Sequence, residues 1–146
     1  FPPKSTLVVP FLAVVEHPPK RAAFGRAILE NIAYAARGNV DQLVEISAQQ
    51  VTALNLCGGL AHSNLLVQLM ADLCQKPVHV PVVREARSLG AAICAAVGAG
   101  AYSDLHTAAV NMVHWEPTIE PDPGNVRRYK GLYRKWLTLF EQAHAL

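Results

Sequence analysis

Apolar positions along the chain switch between two periods. Residues 6–15, TLVVPFLAVV, form a β-branched and aromatic run with a proline in its middle. That pattern predicts an edge strand or two short extended pieces, because proline cannot donate to a ladder. Pro18 and Pro19 end it. From Arg21 to about Ser47 the period becomes helical, with Phe24, Ala27, Ile28, Ile32, Ala35 and Ala36 on one broad face and Arg26, Glu30 and Arg37 off it. Gly38-Asn39 either breaks or kinks this helix, or the apolar face runs on through Val40, Leu43, Val44 and Ile46. Residues 51–57, VTALNLC, predict a short buried strand that enters a tight turn at Gly58-Gly59. A helix follows, capped by His62 or Ser63, with Leu65, Leu66, Leu69, Met70 and Leu73 as its stripe and its end near Gln75. Residues 77–81, PVHVP, predict a second strand, and residues 87–99 an Ala-rich helix whose small side chains permit close approach. Ser103-Asp104 caps a further helix to about Val113, residues 114–120 are expected to be extended, and Asp122-Pro123 starts a last amphipathic helix through Leu146. The order predicts α/β architecture with more helix than strand.

Composition narrows the partners. Charged residues make up 16% of the chain against the roughly 25% usual for soluble domains, and 51% are hydrophobic, so a disordered chain is excluded. The net charge of +2 is too small for the basic stripe that neutralises phosphates, and nucleic acid is not an expected partner. Arg127, Arg128, Lys130, Arg134 and Lys135 read as the solvated face of the last helix, and Trp115, Trp136, Tyr129 and Tyr133 as packing anchors. The run at residues 6–15 falls far short of the roughly 20 residues a bilayer crossing needs and is not followed by a small-residue cleavage site, so neither a membrane nor a signal peptide is expected. Cys57, Cys74 and Cys94 stand singly at wide spacings and read as buried thiols in a reducing cytoplasm. A length of 146 residues fits one ordinary core and cannot hold two full lobes of a large enzyme. The chain opens on Phe1, and further sequence upstream is expected.

The segment with most chemical content is 54–68, LNLCGGLAHSNLLVQ. A strand that ends in two glycines before a helix lets backbone approach an anionic or planar ligand, and the free N–H groups of the first helical turn favour phosphate. The same spacing also suits an ordinary glycine turn with Ser63 as N-cap. Neither GxGxxG nor GxxxxGK[ST] is present. The six histidines lack HxH or HExxH spacing, and no GxSxG elbow occurs, so a zinc site and a serine hydrolase are not expected.

Several motifs in one order, Cys57-Gly58-Gly59-Leu60-Ala61-His62-Ser63, Gln68, Ala71-Asp72, Pro77 to Pro81, Glu85-Ala86 and Leu89-Gly90-Ala91-Ala92, resemble the carboxy-terminal lobe of the FGGY carbohydrate kinases. The xylulose kinases, ribulokinases and glycerol kinases are of this family. Residues 26–34 resemble the lobe's long helix, and Tyr102-Ser103-Asp104-Leu105 with the helix around Tyr129–Tyr133 its closing pattern. The resemblance implies a ribonuclease H-like, actin-like ATPase lobe, α/β and helix-rich with a small mixed sheet. Residues 1–20 would be its extended N-terminal segment and residues 21–146 the domain proper.

In such a lobe the glycine turn packs against the adenine and ribose of ATP. By position, Gly58 and Gly59 would give the close backbone approach, and Ser63 or Asn64 would touch the base or order the turn. Leu60 replaces a glycine or alanine, and its side chain would either narrow the nucleotide pocket or point into the core. His62 reads as a surface residue at the helix start. Residues 10–19 resemble the family's segment ending in Gly-Glu-Arg-x-Pro, with Val15 for the glycine, His17 for the arginine and one residue inserted. A phosphate-contacting stretch that the family places before the long helix is shortened here to Lys20-Arg21. The catalytic base of the family is an aspartate that precedes this lobe, and Asp41, Asp72, Asp104 and Asp122 do not stand in a similar context. No catalytic residue is therefore assigned, and Mg²⁺ is expected to be held largely by the other lobe. The implied activity is transfer of the terminal phosphate of ATP to a sugar or polyol hydroxyl, with the amino-terminal lobe as partner and no turnover by this chain alone. The alternative is a non-catalytic nucleotide-binding or oligomerisation module of the same fold. A lobe standing alone is expected to expose an apolar face that self-association into a homo-oligomer would hide.

Overall fold

The computed structural model describes residues 20–144. The extended piece expected over residues 6–15 and the segment like Gly-Glu-Arg-x-Pro lie outside them. Among the described residues, five α-helices and two short strands occur in the order α1 (Arg21–Ser47), β1 (Leu54–Asn55), α2 (Asn64–Cys74), β2 (Val78–His79), α3 (Ala86–Gly98), α4 (Leu105–Met112) and α5 (Pro123–His144). A 3-10 turn, Gly59–His62, lies between β1 and α2.

Helix α2 is the centre of the core. Leu66, Val67, Leu69, Met70, Ala71, Asp72, Leu73 and Cys74 are all buried, because α1 packs on one side of it and α5 on another. The helix begins where Ser63 Oγ accepts from the Leu66 N–H at 3.3 Å, so of the two expected caps Ser63 is the one used. It ends at Gln75 in the left-handed region, φ 54°, with Pro77 two residues on.

Helix α1 runs unbroken through Gly38-Asn39. A glycine there costs roughly 1 kcal/mol relative to alanine. Long-range packing offsets it: the Tyr133 hydroxyl of α5 would lie 3.5 Å from a Cβ at Gly38 and donates to Asp41 Oδ2 at 3.1 Å. Asp41 in turn accepts from Arg37 Nε at 2.8 Å, one helical turn back.

Strands β1 and β2 are parallel, with Leu54 opposite Val78 and Asn55 opposite His79. Both are shorter than the expected spans 51–57 and 77–81, since Pro77 and Pro81 carry no N–H and end the ladder. The expected extended segment over residues 114–120 pairs antiparallel with the far side of β2, with Val78 and Ile119 exchanging both hydrogen bonds at 2.9 and 3.0 Å and the Glu116 N–H donating to Val80 O. The small sheet is thus mixed.

Helix α5 starts at Pro123, with Asp122 Oδ1 accepting from the Asn125 N–H at 2.8 Å. Its aromatic residues close the core: Tyr133 stacks on Trp136 at 6.1 Å, Trp136 on Phe140 at 5.1 Å, and Tyr34 of α1 joins Tyr133 at 6.1 Å. Burial pushes the Tyr34 and Tyr133 hydroxyls up to about 12. The five basic residues of α5 are exposed, as expected. Trp115 is not a packing anchor: it is 49% exposed and meets only the edge of His79 at 6.0 Å among the ring contacts found.

The cysteines correct the sequence reading. Only Cys74 is buried; Cys57 and Cys94 are exposed. Cys57 sits beyond the last pair of β1, and Cys94 is on α3, a helix with no buried residue that packs chiefly against α4. Burial pushes the Cys74 thiol up to about 11. A thiol-reactive dye at pH 8 is therefore expected to label two of three thiols in the folded chain and the third only in denaturant. Equal rates at all three would contradict this packing.

Candidate functional site

The turn after β1 has a conformation that only glycine takes readily. Gly58 has φ 84° and ψ −173°, a region closed to side chains with a Cβ. Its N–H donates to Arg84 O at 2.8 Å and its carbonyl accepts from the Ala61 N–H at 3.0 Å, which starts the 3-10 turn. Ala61, 1% exposed, plants that turn in the core. Ser63 N–H donates to Leu60 O at 3.2 Å, and the chain enters α2.

The outer face of the turn is open. A Cβ built at Gly58 or Gly59 meets no heavy atom within 4 Å. The sequence-predicted residues Gly58, Gly59, Ser63 and Asn64 thus share one continuous surface of turn and helix start. Asn64 is exposed, and Ser63 Oγ is engaged as the helix cap, so of its two expected roles the ordering one is visible. Leu60 is 52% exposed. Of its two alternatives the core is excluded, and an apolar side chain flanks the bare backbone. The N–H groups of Asn64 and Leu65, in the first turn of α2, have no acceptor within the helix and bring partial positive charge to the same end.

Arg84 is bonded to this turn, and the sequence reading does not single it out. Its carbonyl accepts from Gly58, its Nη1 lies 3.2 Å from His62 Nδ1, and its Nη2 donates to Glu116 Oε1 at 2.6 Å. His62 is an exposed residue of the 3-10 turn, as expected, but it has this neighbour. The signal available was slight: one charged residue after the apolar run Val80 to Val83.

The four aspartates all hold structure. Asp41 takes Arg37 and Tyr133, and Asp122 caps α5. The Asp104 carboxyl, held down to about 2 by donation from the Thr107 N–H and the Ser103 and Thr107 hydroxyls, caps α4. Asp72, 2% exposed, accepts from Gln68 Nε2, the Asp122 N–H and Asn125 Nδ2, each at 2.8 Å. A groove of about 270 Å³ between the end of α2 and α5 is lined by Arg37, Asp72, Tyr129, Lys130, Tyr133 and Arg134. It lies away from the glycine turn. Its buried Asp72 already accepts three hydrogen bonds, and Arg37 is shared between Asp41 and Leu73 O.

Among the described residues, no three His, Cys, Asp or Glu side chains come together to hold a metal ion. No described helix is long and apolar enough to cross a membrane.

The profile of the FGGY family of carbohydrate kinases, C-terminal domain, matches residues 11–99. An autoinducer-2 kinase of Salmonella paratyphi B is 36% identical over 126 residues, which are 86% of this chain and 24% of that protein. The autoinducer-2 kinase of Escherichia coli K12 is 36% identical over 121 residues, 83% of this chain and 23% of that protein. The crystal structure of a xylulose kinase from Rhodospirillum rubrum superimposes with a TM-score of 0.72 at 26% identity, covering 92% of this chain and 27% of that one. The fold is therefore a ribonuclease H-like lobe of the actin-like ATPase class, helix-rich around a small mixed sheet. The chain belongs to the FGGY family of carbohydrate kinases, within its C-terminal domain. It spans about a quarter of the length of the curated relatives it matches.

Proposed function

We propose that this chain is the ATP-binding part of a carbohydrate kinase that transfers the terminal phosphate of ATP to a hydroxyl of a small sugar or polyol. The observation that carries the reading is the open glycine turn, where Gly58 and Gly59 leave more than 4 Å clear at the Cβ positions beside an exposed helix start. A planar base and ribose can lie on such backbone without meeting side chains, with Leu60 as an apolar edge and Ser63 and Asn64 as polar neighbours. The orphan N–H groups of α2 favour the negative charge of phosphates. Kinase relatives support the reaction class.

Residues 21–146 make up the domain in this reading, with residues 1–20 as its leading segment. Phosphoryl transfer is mostly positioning and charge stabilisation, and it needs an acceptor-orienting base and magnesium. Since every aspartate here is bound into caps or pairs, those groups are assigned to the rest of the kinase. The amino-terminal lobe is then an obligatory partner, closure of the two lobes excludes water, and the chain alone turns over no substrate. The acceptor is set at class level, because the residues that would meet it lie in that lobe. A cytoplasmic setting suits an ATP-consuming enzyme with unpaired thiols.

Titration of the chain with ATP, followed by amide shifts, tests this. Shifts confined to residues 58–64 are expected, with a Kd on the order of 1 mM. A silent turn at saturating ATP overturns the reading. The non-catalytic alternative draws on one observation, the exposed Val82, Val83, Leu105 and Val110 around α3 and α4. Self-association by light scattering together with a silent turn would favour it.

A further inference from the structure

We infer that Arg84 is the positioning residue of the glycine turn: its backbone carbonyl holds the Gly58 N–H, while its guanidinium joins His62 to Glu116. The inference rests on the nucleotide reading above and goes beyond it, since it names the group that sets the affinity of the turn without touching the ligand.

A glycine at φ 84° has little intrinsic reason to stay there, as glycine visits both signs of φ at similar cost. The turn must be fixed from outside, and three fixings converge on one residue. The carbonyl of Arg84 accepts from Gly58 at 2.8 Å and from Ala86 at 3.0 Å, so it ties the turn to the start of α3. The guanidinium lies 3.2 Å from His62 Nδ1, at the far end of the 3-10 turn. The other arm reaches Glu116 Oε1 at 2.6 Å, and Glu116 is itself clamped to the small sheet by its N–H on Val80 O at 2.9 Å.

The side chain of Arg84 is only 20% exposed, so this pair is better shielded than an ordinary surface ion pair. Both ends of the Gly58–His62 loop are thereby referenced to β2 and its antiparallel neighbour. A ligand that lies on the turn then finds it already shaped, and the ordering cost of binding falls. Lysine cannot take the same place, because a single ammonium lacks the planar fork that serves two acceptors in different directions.

The test is binding of ATP and of adenosine to the wild-type chain and to Arg84→Met, Arg84→Lys and Glu116→Gln, read by amide shifts and by hydrogen exchange at Gly58. Arg84→Met is expected to weaken ATP and adenosine alike, by about 5-fold, and to speed Gly58 exchange about 10-fold while α2 amides are unchanged. Arg84→Lys should recover part of both effects. Glu116→Gln, nearly isosteric, should reproduce about 2-fold of the loss and serves if Arg84→Met fails to fold. Unchanged affinity and exchange in the variants overturn the inference, as does a loss for ATP with none for adenosine, which would make Arg84 a phosphate contact. A wild-type chain that shifts no residue of 58–64 refutes the nucleotide reading itself, a result distinct from wild type and variants binding equally.

Discussion

Gly59→Leu is expected to abolish detectable ATP binding, by 10-fold or more, while leaving thermal unfolding of the chain nearly unchanged. Gly59 opens the 3-10 turn with an ordinary backbone conformation, and a Cβ there meets nothing within 4 Å. A leucine is therefore tolerated by the fold, at a cost of roughly 0.5 kcal/mol or less for an exposed substitution. Its side chain would fill the space the nucleotide is proposed to occupy. Gly58→Ala is the instructive contrast. Its Cβ also finds open space, but φ 84° is strained for any residue with a Cβ, at about 1 to 3 kcal/mol. That variant should lose stability and affinity together. Isothermal titration with ATP, alongside melts of both variants, checks the pair of outcomes; retained binding in Gly59→Leu would move the nucleotide elsewhere.

Asp72→Leu is expected to destabilise the chain by about 3 kcal/mol, a drop on the order of 10 °C in Tm. The carboxylate lies at 2% exposure between α2 and the start of α5, with three donors each at 2.8 Å. Leucine branches at the same atom but is larger, and it leaves the Asp122 N–H and the Gln68 and Asn125 amides without this acceptor; a stranded buried donor costs roughly 1 to 3 kcal/mol. Asp72→Asn keeps an acceptor oxygen but turns an NH₂ toward one of the donors, so an intermediate loss is expected. Denaturant unfolding followed by Trp136 fluorescence reads both, since that indole packs between α1 and α5. A loss below 1 kcal/mol in Asp72→Leu would mean that the α5 start is held by other contacts.

These two residues show which parts of the molecule local sequence rules could reach. The start of α2 at Ser63 and of α5 at Asp122-Pro123 follow from capping chemistry that acts within three residues, and both are found. The glycine turn was legible for the same reason. Asp72 could be placed on its helix with Gln68 one turn back, but its other two partners, Asp122 and Asn125, come from the start of α5, which no periodicity reveals. Around Gly38, α1 packs on α2 and meets Tyr133 of α5, partners distant in sequence, and the length of β2 is set by the prolines at either end. Exposure of Cys57 and Cys94 was misread because an apolar neighbourhood in sequence was equated with burial in space; α3 is apolar and still buries none of its residues. Arg84 escaped because its main contribution is a carbonyl, which every residue possesses.

The parallel sense of β1 and β2 settles more than pairing. With α2 as the crossover between them, the carboxyl ends of both strands open at one rim of the sheet, the rim where open α/β sheets form their ligand crevices. Gly58 and Arg84 leave their strands at that rim and so become neighbours. On the nucleotide reading proposed above, the ligand would then lie between the glycine bend and the root of α3, a place set by strand direction that side-chain substitution does not move.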